Sequence, residues 1–98
     1  MNHNEKLRKL NQISKATVNY SDTTDSFYVS VGLNAKEDGV LIGICEHSKT
    51  VEEAIDATFD RCISCTLVKD TSEGRLFYLW DSRDLIFTQI QASSIEGE

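Results

Sequence analysis

The sequence predicts an α+β domain: an antiparallel sheet of about five or six strands, one main helix over about residues 50–63 packed on one face, and a short N-terminal helix. Three observations predict it. Apolar residues alternate with period two through 16–20, 27–33 and 40–44. A capping box then opens a stretch of helical spacing at Thr50. Beyond it, two β-rich runs flank a polar turn at 70–74.

Leu7, Leu10 and Ile13 recur three apart with charges between them, which suits a short amphipathic helix over 4–14 that docks on the body or frays. From Ala16 the period becomes two. Ala16, Val18 and Tyr20 make a first half-buried strand, and 21–25 a turn. Phe27, Val29, Val31 and Leu33 make a second strand, closed by a turn over 34–39 that ends in Asp-Gly. Val40, Ile42 and Ile44 make a third. Leu41, Gly43 and Cys45 on its other side predict a central strand buried on both faces.

In Thr50-Val51-Glu52-Glu53, threonine caps a backbone N–H and the glutamate three residues on reaches back. Val51, Ala54, Ile55, Thr58 and Cys62 form the buried stripe, with Phe59 at its edge. Residues 66–69 and 75–80 form the second hairpin. Residues 85–90 read as a strand, since Ile86, Phe87, Thr88 and Ile90 are β-branched or aromatic, although Asp81 and Asp84 also suit the start of a helix. The expected organisation is a basic helix or arm over 1–15, one domain over 16–91 and a loose tail over 92–98.

Charge is unevenly placed. Residues 1–15 carry four basic groups and one acidic group, a net +3; residues 16–98 carry six basic and fifteen acidic, a net −9; the chain totals −6. An acidic body disfavours direct nucleic-acid binding, which relies on clustered Lys and Arg. No apolar run approaches the roughly 18–20 residues that span a bilayer. The odd count of three cysteines argues against a disulfide framework and for a cytoplasmic protein.

The catalytic and metal signatures are weak. Cys62 and Cys65 form a CxxC and, with Cys45 and His47, a formal Cys3His set. A helix roughly 20 Å long separates the two halves of that set. The CxxC sits near a helix C-terminus, where the dipole opposes thiolate. His47 beside Glu46 or Asp25 offers a general base or an ordinary loop histidine. No serine or cysteine has a nucleophile context, and the glycines are too scattered for a phosphate loop. The chain therefore reads as non-enzymatic, with no cofactor and no metal.

Two surfaces remain. Glu52, Asp56 and Asp60 recur every fourth residue with Glu53 beside them, and Glu37, Asp38 and Glu46 add acid in flanking segments. Such a row is either a solvated helix face or a contact for a protein partner with a basic surface, such as a nucleic-acid-binding effector. Ordinary faces mix signs, because like charges at i, i+4 cost a few tenths of a kcal/mol. Tyr78 and Trp80, on one side of 75–80, are either core residues or an amphipathic aromatic partner patch.

The strand–strand–strand–helix run from Ala16 to Ile63 resembles the module of HicB-like antitoxins, on Phe27–Leu33, Gly39–Ile44 and the helix start Ser48-Lys49-Thr50-Val51-Glu52-Glu53-Ala54-Ile55. That likeness covers about half the chain and implies a regulatory or antitoxin module, with a homodimer as one form. The proline-bearing segment usual in that family is missing. In size and acidity the chain also resembles small phage-encoded proteins, including inhibitors of host defence nucleases. The function expected from the acidic row is that of an anti-defence inhibitor acting as a nucleic-acid mimic.

Overall fold

The computed structural model describes residues 1–37 and 40–90, and the side chains of 33–37 and 40–46 fall outside that description. The order is α1 (His3–Ile13), β1 (Ala16–Ser21), β2 (Ser26–Glu37), β3 (Val40–Ser48), α2 (Val51–Ile63), β4 (Thr66–Thr71), β5 (Gly74–Asp81) and β6 (Ile86–Ile90). Among the described residues, no helix is long and apolar enough to cross a membrane.

All strand pairs are antiparallel, and all six strands belong to one hydrogen-bonded network. They form one six-stranded sheet in which β1–β2–β3 and β4–β5–β6 are two three-stranded groups. Three residue pairs join them, Asn34 with Val68, Ala35 with Leu67 and Lys36 with Thr66. β2 makes this possible by its length of 12 residues. Its first half pairs β1, its second half pairs β4, and β3 runs along both halves. The ladder with β3 breaks its register between Ser30 and Asn34. Two strands on one edge of a third must diverge, and an irregularity of this kind bends and twists the strand that carries them.

The third strand is therefore not central. β3 pairs with β2 alone among the described residues, and β2 takes the middle position because it has neighbours on both edges. Residues 86–90 are a strand. The turn before them holds Leu85 at φ 55, with the Leu85 N–H donating to the Asp81 carbonyl at 2.8 Å. Asp81 does cap backbone, accepting from the N–H groups of Arg83 at 2.9 Å and Asp84 at 3.4 Å, but in a hairpin loop.

Both helices lie on one side of the strands. The core contains Leu10 and Ile13 of α1, Val29 and Val31 of β2, Ala54, Ile55, Phe59 and Cys62 of α2, then Cys65 and Leu67. The short N-terminal helix docks, with Leu10 only 1% exposed. Its C-terminal end is fastened three ways. Lys69 Nζ donates to the Ile13 carbonyl, Ser14 Oγ to the Gly32 carbonyl at 3.2 Å, and the Ala16 N–H to Asn11 Oδ1 at 3.0 Å. A Cβ at Gly32 would stand 3.1 Å from Ser14 Oγ, so this approach of helix to strand favours glycine.

Phe59, Trp80 and Phe87 pack edge-on with ring centroids 4.8–6.2 Å apart, tying α2 to β5 and β6. Thr58, wholly buried within α2, has a hydroxyl with no hydrogen-bond partner among the described residues. An unmet buried hydroxyl costs roughly 1–3 kcal/mol. Thr58→Val should therefore raise stability by about 1 kcal/mol in chemical denaturation, since shape is kept and the orphan oxygen removed. In the opposite direction, Leu10→Ala should cost about 2–4 kcal/mol, a loss that would not appear if α1 were a dispensable arm.

Candidate functional site

α2 starts as its capping residues dictate. Thr50 Oγ1 accepts from the Glu53 N–H at 3.1 Å and lies 3.2 Å from Glu53 Oε1. Glu52 and Glu53 stand in the first turn, where carboxylates complement the helix dipole. Both have structural reasons to be acidic before any partner is considered.

The acidic row does not stand free. α1 lies alongside α2, and Asp56 at the middle of the row accepts from Lys6 Nζ at 2.9 Å and contacts His3 Nε2 at 3.2 Å. The Lys6 ammonium also stands 5.6 Å from the Phe59 ring centroid, close enough for cation–π attraction. The Lys6 hydrogen bond holds the Asp56 carboxyl below its ordinary range, against a partial opposing effect of burial. Part of the basic N-terminus is thus spent neutralising part of the acidic row.

Glu52 and Asp60 remain exposed, with no ion pair among the described residues, and Glu53 is exposed with its cap contact. Eight residues of helix separate Glu52 from Asp60, about 12 Å. Glu52 borders a shallow cleft between the helices with Asn2, His3, Asn4, Val51 and Ile55. Asp38 lies outside the described residues, as do the side chains of Glu37 and Glu46, so those supporting charges have no described position.

Tyr78 and Trp80 face the helices. Both are half-buried and pack against the core, Trp80 through Phe59 and Phe87. The opposite face of β5 carries Phe77, buried beside Val68, and Leu79, which is 42% exposed.

Of the residues offered for other chemistries, the side chains of Cys45 and Glu46 lie outside the described residues. Cys62 is buried near the end of α2, and burial, with the neighbouring Cys65, pushes its thiol up to about 12. Such a thiol is not poised for nucleophilic or redox work. Asp25 does not orient His47; it accepts from the Tyr20 hydroxyl at 2.7 Å. His47 stacks on Tyr28 with centroids 4.8 Å apart, and its Nδ1 lies 3.0 Å from Ser26 Oγ. No group of three His, Cys, Asp or Glu among the described residues is placed to hold a metal ion.

The missed feature was the clasp between helices. Its signal was present as a basic segment beside an acidic helix, but no local pattern pairs residues 50 apart.

The clasp is testable by pH. Since the Asp56 carboxyl is lowered in the fold, its stabilisation is complete above the ordinary carboxylate range of about pH 4 and disappears as pH falls through the lowered folded value. Asp56 is 42% exposed, so Asp56→Asn should cost at most about 1 kcal/mol at neutral pH. The difference from the unsubstituted protein should vanish in strong acid, as thermal unfolding across pH would measure.

No family model, no characterised protein and no solved structure matches the chain.

Proposed function

We propose that this protein is a small, non-enzymatic acidic binding protein that presents α2 to a basic surface of a protein partner. The suggested role is an anti-defence inhibitor that occupies a nucleic-acid-binding surface of its target. One observation carries the reading: Glu52 and Asp60 stay exposed and without a cation among the described residues, in a chain of net charge −6. Lys6 and His3 of α1 are directed to Asp56 instead. The contact set is accordingly Glu52, Glu53 and Asp60. Asp56, occupied by Lys6 and His3, is not part of that set.

A surface of this kind steers association by charge and fixes register more than it supplies raw affinity. Salt should weaken it, because exposed charges are screened over about 10 Å at 0.1 M ionic strength. A second reading, a HicB-like regulatory module, is favoured by the chain order β1–β2–β3–α2 with Thr50 capping the helix. An interaction indifferent to salt would favour it.

The test is capture of a partner from a cell lysate at low and high salt. The unsubstituted protein should retain a partner only at low salt, and E52K/D60K should lose it while keeping its thermal stability. Asp56→Asn should retain it. Undiminished capture by the double reversal would sink the proposal.

A further inference from the structure

β1 is an edge strand whose one hydrogen-bonded neighbour among the described residues is β2. The Ala16 N–H turns away from β2 to reach Asn11 Oδ1. Hydrogen bonding alternates side to side along an antiparallel pair, so the backbone groups of Val18 and Tyr20 point to the same open edge. Thr17, Asn19 and Ser21 face Ser30, Tyr28 and Ser26. Residues 16–21 hold no charge and no proline, the devices that deter pairing at an edge.

The side chains beside that edge are apolar and uncovered. Val18 is 40% and Tyr20 52% exposed, although Val29, the cross-strand neighbour of Val18, is fully buried. Next to them the small Ala16, with Asn4, Leu7, Arg8 and Asn11, lines an open groove of about 300 Å³ between α1 and β1. Arg8 is exposed and has no ion pair among the described residues.

We propose that β1 is the seam of a homodimer, in which two copies pair their β1 edges antiparallel about Val18. Face matching requires that side chains pointing to the core side meet side chains pointing to the core side. The register centred on Val18 satisfies this and opposes Val18 to Val18 and Ala16 to Tyr20; at Ala16 the carbonyl accepts from the Tyr20 N–H of the second copy, since the Ala16 N–H is already held by Asn11. It sets Tyr20 of each copy over the groove beside Ala16 of the other. Tyr20 brings with it the hydrogen-bonded carboxylate of Asp25, towards Arg8 on the groove wall. At both ends of the seam Lys15 comes within one residue of Asp22 of the second copy. Neither residue has an ion pair among the described residues of its own chain. This charge complementarity at both ends singles out a second copy over an unrelated peptide strand.

The inference is independent of the role proposed for α2, since β1 and the acidic row share no residue. Sedimentation equilibrium of the full chain across the micromolar range should give twice the 11.0 kDa monomer mass. Val18→Pro removes an N–H that faces outward, a change an edge strand tolerates. It should leave the circular dichroism spectrum unchanged and give a monomer. Thr17→Pro, which removes an N–H aimed at β2, should instead destabilise the fold. Lys15→Glu or Asp22→Lys alone should weaken the dimer by at most about tenfold, and the two together should restore it. A monomer throughout that range, a dimer that survives Val18→Pro, or a double charge swap no tighter than the singles would overturn the proposal.

Discussion

The rest of the molecule depends on β2 joining the two three-stranded groups of the sheet. The register of the β2–β3 ladder shifts between Ser30 and Asn34, at the point where β1 ends and β4 begins on the other edge; such an irregularity increases local twist. β1 and β4 can then follow one another along one edge while β3 occupies the other. The face so created brings Val29, Val31 and Leu67 under α2, and leaves room for α1 beside it.

Electrostatics acts on top of this packing. α1 is held mainly by buried Leu10 and Ile13 and by three contacts at its C-terminal end. Lys6 and His3 add a half-exposed clasp at the other end, an interaction of the size expected for a surface pair. Its consequence is more positional than energetic. It divides the acidic row into one neutralised member and two free ones, so the surface available to a partner is smaller than a helical projection suggests. Meanwhile the aromatic residues of β5 serve the core, because the helices cover the face that Tyr78 and Trp80 share.

Much of the fold was legible. The period-two runs, the Thr50 cap and the buried stripe of α2 are local signals, and their elements formed there; the turn expected over 34–39 is instead strand as far as Glu37, because residues 34–36 are held by ladders to both β3 and β4. The last strand was ambiguous for a physical reason: Asp81 offers the same backbone-capping chemistry to a hairpin loop as to a helix start. The place of β3 was misjudged because apolar side chains on both faces resemble a central strand wherever the strand lies. Of the candidate site, the positions of Glu52, Asp56 and Asp60 along α2 were legible, but the pairing of Asp56 was not.

What the sequence by itself determined is local: the element types, their order, the caps and the faces, all governed by residues within a few positions of one another. It also determined the charge division between residues 1–15 and the body. The tertiary structure alone decided which strands neighbour which, that β2 joins the two groups of strands through β4, and that Lys6 lies against Asp56. Those outcomes depend on contacts between residues far apart in the chain, among them the β2–β4 ladder and the burial of Leu10. No spacing in the sequence encodes them.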